Sequence, residues 1–340
     1  MGAPTTPRPG TEAFVRMRLV AALFAVVSGT LLAACNNDDL TVIKDPGRAP
    51  LPPPVTADAT DSTSRNDNFP APTSEEGIDK VLVTIIENKG LTQMKQHAAN
   101  LWTLAQKYGY ASDYRAITHP SLPNYIAIAA GDRLGVSDDG DPAKHKLTDP
   151  NIFTNTLKAG GTAQTFADNM GSETCRQTNQ GKYAVRHNPW TYFSNDRDNC
   201  QKFVVDGAAY EETVAAGNLA NLTFLIPDNC HNAHDCSIET ADKWVFQKVV
   251  TAMSGPDFRA GRLLIVITAD EDNKKEGNRI LTVLVHPSLS HKVVGTRLTH
   301  YSLNRLLAQI THTSPLQNGA SAPDMATAFG LDIKPEATAQ

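Results

Sequence analysis

The chain has 340 residues, with 31 Lys and Arg against 36 Asp and Glu for a formal net charge of −5. Residues 1–34 hold three arginines and one glutamate, a net +2 whose removal leaves −7, and no basic cluster follows them. That balance excludes nucleic acid as an expected partner, and the length beyond the first 77 residues suffices for one large domain with a substantial core.

Arg16 and Arg18 precede the apolar stretch 19–32, and small residues lead directly to Cys35. A basic start, a short apolar run and a small-residue site spell an export signal, because the run is too short to span a bilayer comfortably. The closing cysteine resembles a bacterial lipobox. Residues 1–35 are therefore expected to be a lipoprotein signal with Cys35 as the lipidation site, anchoring the chain to a membrane of the cell envelope, facing the periplasm or the outer surface. Residues 36–77 are rich in Pro, Asp, Thr and Ser with almost no paired apolar positions. Such a segment cannot bury enough surface to offset the cost of ordering, and it reads as a flexible tether. Residues 78–335 remain as the folded domain.

The run 80–88, KVLVTIIEN, is continuously apolar and ends in Glu87-Asn88. An unbroken apolar run, rather than an alternating one, fits a strand of a parallel sheet covered on both faces. Residues 91–108 then predict a helix that closes at Gly109. In 116–131, AITHPSLPNYIAIAAG, Ser121 precedes Leu122-Pro123. Proline is favoured at the first helical positions, so this segment predicts a helix capped by Ser121. Its N-terminus would offer free backbone N–H groups and the positive end of a dipole, which suit a phosphate.

His187 lies in RHNPW at 186–190, and the run 222–229, LTFLIPDN, again ends in an acid, Asp228. His234 follows shortly after it. Residues 240–254 predict a helix closing at Gly255, and the run 262–273 ends in Asp270-Glu271-Asp272. Residues 279–287 read as a further strand, an antiparallel neighbour, and His300 opens a helix. Alternating strands and helices give an α/β sandwich.

Besides Cys35 the chain has Cys175, Cys200, Cys230 and Cys236. An even number in an exported protein suggests two disulfides. Three connectivities are open, sequence order favouring Cys175–Cys200 and Cys230–Cys236, and a zinc cluster in CHNAHDC is the competing reading.

Ligands of open α/β sheets bind beyond the carboxyl ends of the strands. Three strands that deliver acids to that edge, with histidines near them in sequence, suit a hard divalent cation. A serine is a weak nucleophile until a base or a metal lowers its pKa, and the strand-end carboxylates would hold that metal. Taking Ser121 as a mere helix cap, and each histidine as structural, leaves the acids unexplained.

The segments IIEN, THPSLPNY, RHNPW, PDNCHNAHDC, ITADED and THYS, in this order, resemble the bacterial phosphoesterase family of acid phosphatases and phospholipases C, a branch of the alkaline-phosphatase superfamily. The likeness covers about residues 80–331. It implies an alkaline-phosphatase-like α/β sandwich, its central, mostly parallel sheet covered by helices on both faces. It implies Glu87, Asn88, Asp270 and Glu271 around a divalent metal, with Ser121 as both ligand and nucleophile. Asn124, His187 and Asn188 would contact the phosphoryl group. Asp228, His234 and His300 would form the second half of the site, where related enzymes hold another metal. His234 or His300 would protonate the leaving group or activate water.

Two positions depart from the pattern. Gly90 stands where serine is usual, and Asn232 where an aspartate is common, so a second metal would lack a carboxylate. SLPNY also partly mimics a sulfatase signature, but Tyr125 occupies the arginine position, which disfavours that activity. The expectation is an exported, lipid-anchored, metal-dependent acid phosphatase acting on small phosphomonoesters or a phospholipid headgroup through a phosphoserine. The alternatives are a phosphodiesterase of phospholipase C type and a non-catalytic binding lipoprotein on the same fold.

Overall fold

The computed structural model describes residues 77–336 and, outside them, Gly2 alone. Cys35, the export signal and the tether up to residue 76 lie outside the described residues. The strands are, in chain order, β1 (Lys80–Ile86), β2 (Gly109–Arg115), β3 (Ala163–Ala167), β4 (Val204–Asp206), β5 (Leu222–Ile226), β6 (Leu263–Ala269), β7 (Arg279–Val285), β8 (Lys292–Val294) and β9 (Leu298–Thr299). They form one sheet in the order β4-β3-β5-β1-β6-β7-β2-β8, with β9 also paired to β2.

The body of the sheet is parallel: β3 pairs with β4 and β5, and β1 pairs with β5 and β6. β7 runs antiparallel to both β6 and β2, as its sequence suggested. Every residue of β1, β5 and β6 is buried, which requires cover on both faces and explains their unbroken apolar runs. The helices Leu91–His97, Ala99–Lys107 and Ile238–Ser254 pack against one another in one group. Ser121–Ala130, Ile152–Lys158 and His300–Ile310 form another.

The single helix expected over 91–108 is two helices broken at Ala98, whose φ of −107° and ψ of 69° leave the helical region. A neighbour then caps the second helix: buried Asp242 accepts the backbone N–H groups of Asn100 and Leu101 at 3.1 and 2.8 Å. Disulfides join Cys175 to Cys200 and Cys230 to Cys236, the connectivity that sequence order favoured. The cysteines therefore form no zinc cluster.

Candidate active site

In the sheet order β3-β5-β1-β6, four adjacent parallel strands run out into acids on one edge. β1 leads to Glu87-Asn88, β5 through Pro227 to Asp228-Asn229, and β6 to Asp270-Glu271. β3 leads to Asp168-Asn169, an acid that the sequence reading did not single out. The loop after β5 is tied back to β1, because the Glu87 N–H donates to the Asn232 carbonyl at 2.8 Å.

Ser121 is not the helix cap expected of it. Pro120 takes the N-cap position with extended backbone, and Ser121 is the first helical residue. Its hydroxyl is thus free of the helix and donates to Glu87 Oε2 at 2.9 Å. The helix N-terminus is not wholly open either, since the Leu122 N–H donates to Asp139 Oδ1 at 2.9 Å. Asn124, one turn on, accepts the N–H groups of Ile117 and Thr118 and donates to the Thr118 carbonyl, closing the turn that delivers Ser121. Its amide also reaches Glu271 Oε2 at 3.2 Å.

Glu87 is fully buried and surrounded. Its Oε2 also accepts from Asn88 Nδ2 at 3.0 Å, while Oε1 accepts the Tyr125 phenol at 2.6 Å and lies 3.2 Å from His187 Nε2. Burial pushes this carboxyl up, but attraction to His187, then Tyr125 and Ser121, overcomes it and holds the group at about 2. Asp270 goes the other way: burial first, then the charges of Glu87 and Glu271, push it well above the usual carboxylate range. Burial lifts Glu271 to about 7 although His119 Nδ1 lies 2.8 Å from its Oε1.

Three carboxyls therefore crowd a buried space where histidines are their only ion-pairing partners among the described residues, and Asp270 Oδ2 has no hydrogen-bond partner among them. An orphaned buried carboxylate oxygen among hard oxygen donors is what a divalent cation fits. Glu87, Asn88, Ser121, Asp270 and Glu271 are the residues that would hold it. Asp272 serves the backbone instead, accepting the N–H groups of Lys274, Glu276 and Asn278.

The residues expected as the second half of the site do not gather. His300 Nε2 bonds the Asp270 carbonyl at 2.7 Å and its Nδ1 meets the Tyr114 hydroxyl at 3.2 Å. Both ring nitrogens are spent within the protein, and burial holds the ring down at about 4, so His300 braces Asp270 from behind. His234 bonds Asp235 through Nδ1 at 2.6 Å and Arg186 through Nε2 at 3.1 Å. Asp228 joins Asp168 and His231 instead, one ligand atom from each lying within 4.8 Å of the others, beside a cavity of about 410 Å³. That acidic cluster too is compatible with a divalent metal. Asn188 is buried, donating to the Tyr183 hydroxyl at 3.2 Å and leaving its Oδ1 without a partner. Asn232 accepts the His234 N–H at 2.8 Å, and its amide nitrogen lies 3.2 Å from His187 Nδ1.

The model of the Phosphoesterase family matches residues 59–311. The chain belongs to the phosphoesterase family. Phosphoester hydrolysis is the chemistry that this membership supports for the chain. Among similar proteins, a phosphatidylinositol-3-phosphatase of Mycobacterium tuberculosis is 29 % identical over 249 residues, covering 72 % of this chain and 78 % of that protein. An acid phosphatase of Aspergillus fumigatus is 27 % identical over 218 residues, 60 % of this chain and 48 % of that protein. The chain thus spans about half the length of that fungal relative. A Vibrio parahaemolyticus protein of the alkaline phosphatase superfamily shares the fold, with a TM-score of 0.50, 12 % identity and coverage of 76 % and 73 % of the two chains.

Within this phosphoesterase, sequence reasoning missed Asp168, a further strand-end acid, with His231, Asp139 and His119 around these acids and Arg186 beside His234. Asp168-Asn169 carried a usable signal. Glu87-Asn88, Asp168-Asn169 and Asp228-Asn229 repeat one acid-Asn ending after a β-rich run. Asn88 and Asn169 share a left-handed backbone, with φ of 56° and 55°, which asparagine tolerates better than most residues.

Proposed function

We propose that the chain is an exported, lipid-anchored phosphomonoesterase of acid-phosphatase type that works through a phosphoserine at Ser121. One observation carries the reading: the buried Ser121 hydroxyl, at the first turn of its helix, is held by Glu87 beside Asp270 and Glu271, with which no lysine or arginine pairs among the described residues. A bound divalent cation would supply charge stabilisation to the phosphoryl group and favour the serine alkoxide. Glu87, held ionised and pinned by Tyr125, orients Oγ. As the bond from Ser121 Oγ to phosphorus forms, the bond from phosphorus to the ester oxygen breaks, and the alcohol leaves with a proton. Water then displaces Ser121 Oγ and releases inorganic phosphate. The named relatives support phosphomonoester substrates, and the phosphatidylinositol-3-phosphatase favours a phospholipid headgroup among them. The lipobox ending at Cys35 supports the anchor, and Cys35→Ser should move the protein from the membrane pellet to the soluble fraction.

Acid-quenched turnover of a ³²P-labelled monoester tests the nucleophile. Label should appear as phosphoserine on the peptide containing HPSLPNY. Ser121→Ala should keep the fold and most cation binding yet lose on the order of 10³-fold or more in kcat. Near-normal turnover by Ser121→Ala, or label on another residue, would return Ser121 to a structural role. Faster cleavage of 4-nitrophenyl phosphorylcholine than of 4-nitrophenyl phosphate would favour the phosphodiesterase.

A further inference from the structure

We infer that Arg186 is the guanidinium that receives the phosphoryl oxygens of the substrate and makes the site prefer a dianionic phosphate. This rests on the phosphatase reading above and adds to it the residue that answers the substrate's second negative charge.

Arg186 lies in the short 3₁₀ turn Val185–His187, next to the histidine that approaches Glu87. Its partners are unusual for a half-buried arginine. It makes one side-chain hydrogen bond, to His234 Nε2 at 3.1 Å, and no carboxylate lies within ion-pairing distance of it among the described residues. A guanidinium only donates, so His234 Nε2 must accept, which puts the ring proton on Nδ1, where it donates to Asp235. Asp235 and His234 therefore act as a strut that aims the guanidinium without neutralising it. One of five N–H donors is spent on that strut, which leaves the rest of the fork for a planar, two-pronged contact with phosphate oxygens.

The strut stands close to the reacting groups. The His234 and His187 rings are 6.2 Å apart, His187 stacks on Tyr125 at 5.3 Å, and Tyr125 shares Glu87 with Ser121. The other cations nearby are committed. Lys89 Nζ donates to the Glu87 and Ala233 carbonyls at 3.2 and 2.9 Å. His119 lies between Glu271 and Asp272. Arg186 is the neighbouring cation with most of its donors unspent, and a doubly charged phosphoryl group gains more from it than a singly charged diester does.

The test reads binding directly and turnover separately. Inorganic phosphate and dimethyl phosphate are titrated calorimetrically into wild type, Arg186→Gln and Arg186→Lys, all cation-loaded. Losing a charge-assisted, two-pronged contact should weaken phosphate binding by roughly 10- to 100-fold in Arg186→Gln. Dimethyl phosphate should weaken less, Arg186→Lys should fall between, and added guanidinium should restore phosphate affinity to Arg186→Gln alone. A phosphate Kd unchanged within about twofold, or an equal loss for both ligands, overturns the proposal. Should Arg186→Gln fail to fold, the Lys variant decides, because it keeps the charge and loses the fork. Turnover of 4-nitrophenyl phosphate by wild type is the separate check on the phosphatase reading, and its absence would leave the phosphate titration able to decide on Arg186.

Discussion

At the amino end of β1, Lys80 is 7 % exposed and its ammonium lies 2.8 Å from Asp257 Oδ1, with the Gly217 carbonyl as a further acceptor. At the carboxyl end of the same strand, Glu87, Asp270 and Glu271 are just as buried, with no lysine or arginine in ion-pairing distance among the described residues. Both ends bring charge into a low-dielectric interior, where an unmatched charge is costly. The chain neutralises the first end from its own sequence. It leaves the second short of positive charge, although Lys89 stands beside it and spends its ammonium on backbone carbonyls. The difference separates a charge that holds the fold from carboxyls that, under the function proposed above, would take their counter-ion from solution.

Substitutions at the two ends should therefore move stability in opposite directions. The larger effect belongs to the amino end: Asp257→Ala strands the Lys80 ammonium and should cost about 3–5 kcal/mol in a denaturant titration. Joint replacement, Lys80→Met with Asp257→Leu, should recover most of that loss, and neither change should alter cation affinity. The smaller effect belongs to the carboxyl end. In cation-free protein, Asp270→Asn relieves the crowding and should gain on the order of 1–2 kcal/mol, read as a higher Tm. The same variant should lose the rise in Tm that a divalent cation gives wild type.

The pH dependence follows from the two carboxyls whose shifts are opposed. Glu271, raised from 4.5 to about 7, favours the folded state most below about 4.5, so cation-free protein should lose stability as pH climbs from there through about 7. Glu87, lowered from 4.5 to about 2, stabilises above about 4.5 and loses that contribution as pH falls toward 2. Saturating cation should flatten the upper limb. A flat cation-free profile between pH 4.5 and 7 would break the contrast between the two ends.

Much of this was readable in the sequence because burial on both faces writes itself as an unbroken apolar run. β1, β5, β6 and β7 were visible for that reason, and with them Glu87, Asp228, Asp270 and Glu271. β2, GYASDYR, is only partly buried and carries Ser and Asp, so it has no such run. β3, AQTFA, breaks its apolar run with Gln164 and Thr165, and β4 has three residues, too short for a pattern to stand out. Contacts made across the fold were equally silent. Asp139 reaches the Leu122 N–H from a loop with no periodicity, and Asn232 looked like a lost carboxylate until its amide was found between His234 and His187. The order of the acids along the chain was legible, but their grouping was not. Asp228 belongs with Asp168 and His231 because β3 and β5 are neighbours in space, which no stretch of chain records.

The sheet also closes itself off at its margins. Its outermost strands, β4 and β8, have three residues each, and β9 beside them has two. A row of unpaired N–H and carbonyl groups that short gives an incoming chain almost nothing to zip against. β4 passes directly into the 3₁₀ turn Gly207–Ala209, and β8 opens with an exposed lysine, Lys292, where a self-pairing strand would need an apolar, uncharged face. The longest apolar strands are β1, β6 and β7, and each is locked between two partners in the middle of the sheet. Among the described residues, the longest apolar strands are thus held in the interior of the sheet, and its short edges give a neighbouring molecule little to pair with.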